Sequence, residues 1–167
     1  VPEQHVEVDK ARRLGGGALG EVFHASWLGS PVVVKRLYFM DDDPAAMHAM
    51  GGPLSTHDRQ HVMRDFYQEC LLNSNLRHSN IVPFLGVVVD ANNLPRYLML
   101  ELMSGRSLDH LIHPDGINPG TAVPLPHAKA IVIDLCRALA YLHSRQPPVL
   151  HLDIKPDNIL LDGASGR

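Results

Sequence analysis

The stretch His151-Leu152-Asp153-Ile154-Lys155-Pro156-Asp157-Asn158 carries the strongest chemical signal of this sequence. One short segment holds a carboxylate, a cation two residues later and an amide five residues after the carboxylate. Phosphoryl transfer uses groups of these kinds: an acceptor for the proton of the attacking hydroxyl, positive charge near the phosphate, and oxygen ligands for magnesium. The alternative is a turn stabilised by its own Asp and Asn side chains. The segment therefore indicates a phosphotransferase loop.

Upstream, residues 14–22 (Leu-Gly-Gly-Gly-Ala-Leu-Gly-Glu-Val) satisfy the spacing G-x-G-x-x-G-x-V. Glycines at this spacing let backbone N–H groups approach a phosphate closely. The alternative is a plain turn, and a dinucleotide-binding fold would need a helix directly after the glycines. Residues 21–25 instead alternate as a strand does, so the pattern favours a glycine-rich hairpin that covers phosphates.

Two charged residues between these segments extend the pattern. Lys35 follows the β-branched run 32–34, which favours a strand. Alternation along that strand predicts that Lys35 points inward and that Arg36 is solvated on the opposite side. The alternative for Lys35 is a strand-end lysine whose stem lies on apolar surface. Glu69 lies on a helix predicted after Thr56, and a lysine that holds phosphate needs an acidic partner.

Taken in this order, the four elements resemble the signature of eukaryotic-type protein kinases, over residues 14–161. The resemblance implies an α+β fold, with an antiparallel N-lobe, one helix and the hinge in 1–103, and the beginning of a helical C-lobe in 104–167. It implies an ATP-dependent protein serine/threonine kinase with ATP and Mg²⁺ as cofactors. Lys155 distinguishes the loop from those of small-molecule phosphotransferases, and the segments at 76–86 and 105–108 resemble the tyrosine-kinase-like group of serine/threonine kinases.

The resemblance implies a role for each matching position. Asp153 orients the substrate hydroxyl and accepts its proton, Lys155 contacts the γ-phosphate, and Asn158 binds the metal. Lys35 contacts the α- and β-phosphates and pairs with Glu69. With Leu100 as gatekeeper of the hinge, the other implied nucleotide contacts are Leu14, Gly15, Gly17, Gly20, Val22, Val33, Glu101 and Met103.

Two substitutions depart from the family pattern. Leu152 stands where the family has an arginine that pairs with a phosphorylated activation loop, so control by that phosphorylation is not expected. Val33 stands where the family has alanine beside adenine, so weaker ATP binding is expected.

No Asp-Phe-Gly follows Asn158 before Arg167, and Asp162 is too close to Asn158 to replace its aspartate. The expectation is an incomplete catalytic domain in which the helix over 128–142 exposes apolar surface. One alternative is a catalytically inactive kinase-like module that binds nucleotide or protein. Another is a fragment that does not fold stably.

The bulk composition is that of a globular chain of 167 residues with 45% hydrophobic residues and a formal net charge of −3. That charge gives no basis for a nucleic-acid partner. No leader or apolar run of membrane-spanning length is evident, so a cytoplasmic location without membrane contact from this segment is predicted. Cys70 and Cys136 are predicted to be buried free thiols. The protein substrate and the oligomeric state are not indicated.

Periodicity and punctuation also predict the secondary structure. Helices are predicted after Thr56 and over 128–142, a loop over 41–56 and a turn over 29–31. The predicted strands cover residues 21–27, 32–37, 81–89, 96–101, 149–150 and 159–161.

Overall fold

The computed structural model describes residues 1–17, 20–37, 56–114, 116, 120 and 122–163. The loop predicted over 41–56 lies outside the described residues except for Thr56, where a helix begins. The chain divides into two compact units. The first unit is Val1–Leu76 with Pro83–Leu102, and the second is Arg77–Val82 with Met103–Arg167.

The first unit is built on a β-sheet. Its strands are β1 (Val6–Gly17), β2 (Gly20–Trp27), β3 (Ser30–Leu37), β4 (Phe84–Val89) and β5 (Pro95–Glu101). Among the described residues they form one antiparallel sheet of five strands in the order β1-β2-β3-β5-β4. This confirms the antiparallel sheet expected for the N-lobe.

The connection between β2 and β3 is tighter than predicted. Trp27 pairs with Ser30, so the loop consists of Leu28 and Gly29 alone. Both have positive φ angles, 49° and 85°, as a two-residue type I′ hairpin requires. The turn predicted over 29–31 is therefore wrong in register. Pro31 belongs to β3, because the right-handed twist of the strands favours the two-residue turn.

Side chains are buried on both faces of the sheet. One apolar cluster contains Phe23, Val34 and Met99, and Val34 and Met99 are fully buried. On the other face Leu98 packs with Phe66 and Cys70 of helix α1 (Thr56–Ser74). Since side chains alternate along a strand, neighbouring residues of β3 face different clusters. This alternation decides where the charged residues at the end of β3 point.

The second unit contains two helices, α2 (Leu108–Ile112) and α3 (Leu125–His143). Helix α3 begins three residues before the predicted start, because Pro126 in its first turn has the fixed φ angle that a helix start favours. Its predicted apolar face is confirmed, with Ile131, Ala138 and Leu142 buried. Other apolar side chains of α3, such as Val132 and Ile133, are 56% and 50% exposed, as expected for that helix.

Three predicted strands differ from the structure. The strand predicted over 81–89 begins only at Phe84, because the N–H of Ile81 donates to the carbonyl of His78 in a turn. No strand is present over 149–150, and over 159–161 a single bridge joins Leu160 to Ser107. Residues 159–161 do hydrogen-bond to the backbone of 105–108, but this contact is too short to form a ladder of strand length.

The cysteines are free thiols, but only one is buried. Cys70 is 7% exposed, whereas Cys136 is exposed on α3. The expectation of a buried Cys136 was wrong because its position falls beside the buried stripe of the helix. Of the helices that the structure describes, none is both long enough and apolar enough to cross a bilayer.

Candidate functional site

Lys35 and Glu69 form an ion pair in the first unit. Lys35 Nζ donates to Glu69 Oε1 at 2.9 Å, joining β3 to α1. The helix is positioned for this contact by Phe66, which is 2% exposed and lies one turn before Glu69. The two charged side chains are 27% and 40% exposed, so a ligand can reach the ammonium group. The predicted inward direction of Lys35 is what the structure has.

The glycine-rich segment forms the adjoining ends of β1 and β2. Gly17 pairs with Gly20 at the end of the ladder, and Gly15 pairs with Val22. Val22 in turn pairs with Lys35. Gly15 of β1 and Lys35 of β3 therefore lie on either side of the same residue of β2. A Cβ atom added to Gly15 would meet no atom within 4 Å, so open space lies above this backbone. Leu14, which precedes it, is 49% exposed.

Three residues were predicted to contact the adenine. Val33 is 9% exposed and pairs with Leu100, the predicted gatekeeper. The N–H of Glu101 donates to the carbonyl of Pro83 at 3.0 Å, so this N–H is already used. Met103 belongs to the second unit and is partly buried.

In the second unit, Asp153, Lys155 and Asn158 form one compact group. Lys155 Nζ lies 3.0 Å from Asp153 Oδ2. Asn158 Nδ2 donates to the same oxygen at 2.8 Å and to the backbone carbonyl of Asp153 at 2.9 Å. Both side-chain contacts are made to Oδ2, and among the described residues no contact to Oδ1 is present. The amide oxygen of Asn158 is likewise left to accept a cation.

The charge of Asp153 is stabilised by these neighbours. The hydrogen bond from Lys155, and next the hydrogen bond from Asn158, lower the pKa of the Asp153 carboxyl below its ordinary value. The carboxylate is therefore ionised throughout the physiological pH range. The lowered pKa makes it a weaker base than an ordinary aspartate.

The backbone of this loop is held by local contacts. The N–H of Asp153 donates to His151 Nδ1 at 3.3 Å, so His151 helps to hold the backbone of the loop. Leu152 has a φ of 62° and is 88% exposed, so its side chain lies in solvent. At the end of the loop, the N–H of Leu161 donates to the carbonyl of Arg106 at 2.8 Å. The tight loop is thus closed onto the segment before α2.

The structure corrects the prediction for Arg36. Its side chain is 12% exposed, and its Nη2 atom lies 2.6 Å from Glu21 Oε2. Arg36 is not solvated because Glu21 stands opposite it in the β2–β3 register. One feature of the sequence could have indicated this pair. Glu21 and Arg36 carry opposite charges and lie on two adjacent predicted strands.

Comparison with known proteins agrees with this arrangement. The model of the family described as "Protein kinase domain" matches residues 8–167. The chain belongs to the protein kinase domain family.

Several curated serine/threonine-protein kinases are similar to the chain. The serine/threonine-protein kinase VIK of Arabidopsis thaliana is 34% identical over 99% of this chain and 33% of its own length. The serine/threonine-protein kinase CTR1 of the same plant is 33% identical over 90% and 16%. The probable serine/threonine-protein kinase drkC of Dictyostelium discoideum is 30% identical over 93% and 18%. The chain therefore spans a third or less of these relatives.

Protein kinases generally use ATP and Mg²⁺, and the groups described are chemically suited to both. Lys35 offers an accessible ammonium group held by Glu69. The backbone at Gly15 borders open space. Asn158 offers an amide oxygen beside an ionised carboxylate, and oxygen ligands are what Mg²⁺ prefers.

Proposed function

We propose that this chain carries the nucleotide- and hydroxyl-binding groups of an ATP-dependent protein serine/threonine kinase. The observation that supports this most directly is the cluster of Asp153, Lys155 and Asn158, in which both neighbours contact one oxygen of the carboxylate. We assign the other carboxylate oxygen to the substrate hydroxyl. The proposal assigns residues 1–103 to the N-lobe and hinge and 104–167 to the beginning of the C-lobe. The acceptor is a serine or threonine hydroxyl of a protein.

Most of the nucleotide contacts in this proposal come from residues of the first unit. Lys35 holds the α- and β-phosphates, and Glu69 fixes the position of its ammonium group. The backbone at Gly15, Gly17 and Gly20 lies along the phosphates. The remaining contacts assigned to the nucleotide are Leu14, Val22, Val33, Glu101 and Met103.

The residues of the second unit handle the acceptor. Asp153 Oδ1 accepts the hydrogen bond of the substrate hydroxyl and orients its oxygen for attack. Because its pKa is lowered, the carboxylate is a weak base and takes the proton late, once the forming bond to phosphorus has made the hydroxyl proton more acidic. Lys155 contacts the γ-phosphate in this proposal, and Asn158 supplies a ligand for Mg²⁺. When bound, MgATP supplies the transferable γ-phosphoryl group and a metal that neutralises developing negative charge.

The first test is ligand-dependent thermal stability of the 167-residue chain. At a MgATP concentration of a hundred times the dissociation constant, binding adds about 2.7 kcal/mol, or roughly 5–11 °C in melting temperature for a domain of this size. Lys35→Met should abolish this shift. The partly exposed pair itself contributes only about 0.2–1 kcal/mol, so the unliganded melt should change little. Lys10→Met, at an exposed lysine of β1, is the matched control and should keep the shift.

The second test measures transfer of labelled phosphate from ATP to serine- and threonine-containing peptides. Asp153→Asn should lose the transfer and retain the MgATP-dependent shift. A shift in the wild type without any transfer would favour the alternative, a nucleotide-binding module without catalysis. Absence of both the shift and the transfer would contradict the proposed function.

A further inference from the structure

Behind the proposed phosphate site, one carboxylate joins two arginines from different strands. Glu21 Oε2 lies 2.6 Å from Arg36 Nη2, and Glu21 Oε1 lies 3.5 Å from Arg13 Nε. Each carboxylate oxygen thus has its own guanidinium. The side chains of Glu21 and Arg36 are only 17% and 12% exposed, whereas that of Arg13 is 52% exposed. The inner half of this charge network is largely removed from solvent, so it is screened less than a surface pair.

The network is attached directly to the glycine-rich strand. Arg13 Nε also donates to the backbone carbonyl of Gly15 at 3.3 Å. The guanidinium of Arg13 lies over Gly16, where an added Cβ atom would collide with Nη2. Gly16 is the residue that pairs with Glu21 across β1 and β2. The Arg13 side chain therefore extends along its own strand towards Gly16 and ties the end of β1 to Glu21.

The same network is attached to β3. Glu21 and Arg36 are partners in the β2–β3 register. The guanidinium of Arg36 also lies 5.7 Å from the ring centroid of Phe23, at the edge of the buried cluster that contains Val34. Lys35, which directly precedes Arg36 on β3, points to the other face and pairs with Glu69. The network therefore lies on the face opposite the proposed nucleotide site.

We propose that Glu21 is a positioning residue for nucleotide binding. With Arg13 and Arg36 it fixes the glycine-rich ends of β1 and β2 relative to β3, and so fixes the distance between the glycine backbone and Lys35. It acts on the phosphates only through this backbone, because its own side chain faces away from them. This inference rests on the proposed function, since it concerns the same nucleotide.

The proposal makes a selective prediction. Glu21→Gln keeps the shape of the side chain and removes its charge. The dissociation constant for MgATP should rise roughly three- to tenfold, as is common when a positioning network is broken. The affinity for adenosine, which has no phosphates, should be unchanged. Glu7→Gln, the same chemical change at an exposed position of β1, should alter neither.

Two further variants test the network itself. The double variant Glu21→Gln, Arg36→Gln should bind MgATP no more weakly than Glu21→Gln alone, because residues of one network are not additive. Gly16→Ala changes no charge but occupies the space of the Arg13 guanidinium, and it should also weaken MgATP binding. Equal losses for MgATP and adenosine would indicate a purely structural role and would overturn the proposal.

Hydrogen exchange separates this proposal from the proposed function. Without nucleotide, Glu21→Gln should speed amide exchange in residues 15–17 and 20–22 and leave β4 and β5 unchanged. Unchanged exchange in the glycine-rich strands would overturn the positioning role whether or not the chain binds ATP. A third outcome is that Glu21→Gln speeds exchange in these strands although the wild-type chain binds no MgATP. The network would then hold the hairpin in place, but the proposed function and a positioning role in nucleotide binding would both be refuted.

Discussion

Replacing Phe66 with alanine tests how helix α1 is held on the sheet. Phe66 is 2% exposed and packs with Cys70 and Leu98, with Phe84 and Leu100 at the edge of the cluster. Removing a buried phenylalanine side chain costs about 3–5 kcal/mol, from lost transfer free energy and the cavity left behind. That is a large part of the roughly 5–15 kcal/mol by which domains are stable.

The loss should be visible by two measurements on the purified chain. Urea unfolding followed by circular dichroism gives the free energy of unfolding, and a thermal melt should fall by roughly 6–20 °C, at 2–4 °C per kcal/mol for a domain of this size. Since Glu69 lies on the same helix, the MgATP-dependent shift should shrink as well.

A matched control lies on the same helix. Leu71 is 66% exposed, so Leu71→Ala should change the free energy of unfolding by no more than about 0.5 kcal/mol. Equal effects of Phe66→Ala and Leu71→Ala would refute the reasoning, because α1 would then not be anchored through Phe66. A conservative variant, Phe66→Leu, should recover most of the loss.

Two further predictions concern titratable groups. Lys155→Ala removes the principal cause of the lowered pKa of Asp153, so carboxyl carbon NMR should show that pKa rising towards its ordinary value; an unchanged titration would contradict the contact. In the intact chain the carboxylate's stabilising interaction is complete above the ordinary pKa and is lost as pH falls through the lowered one. Burial raises the pKa of the Cys70 thiol to about 11. Iodoacetamide at pH 8 should therefore modify exposed Cys136 well before Cys70, with Cys136→Ser as the control, and equal labelling would contradict the burial.

The cluster of Asp153, Lys155 and Asn158 was predictable because its geometry is local. Asp153, Lys155 and Asn158 lie within six consecutive residues, so any tight turn brings their side chains together. The direction of Lys35 was predictable for a similar reason, since alternation along a strand depends only on the backbone. The burial of Cys70 was predicted from its apolar, helical context. The functional roles assigned to these residues were inferred from the resemblance of the motifs, in their order, to the protein kinase signature.

Contacts between distant segments could not be obtained in this way. Arg36 looked solvated because its partner, Glu21, lies fifteen residues away and depends on the β2–β3 register. The sequence prediction placed the turn over 29–31, which gives the wrong β2–β3 register. The structure instead has a two-residue turn at Leu28 and Gly29, and a positive φ angle at a leucine is not predictable from local composition. The apolar run over 159–161 resembled a strand but obtained only one bridge, to Ser107.

The resemblance of the motifs and their order indicated the family, while local spacing and alternation indicated the chemical groups of the loop and the inward direction of Lys35. Only the tertiary structure revealed the pairing of Glu21 with Arg13 and Arg36, the exposure of Cys136 and the real extents of the strands. The physical reason is that backbone periodicity is encoded in neighbouring residues. Ladder hydrogen bonds, burial and ion pairs instead require a second segment, whose position is fixed only when the whole sheet has formed.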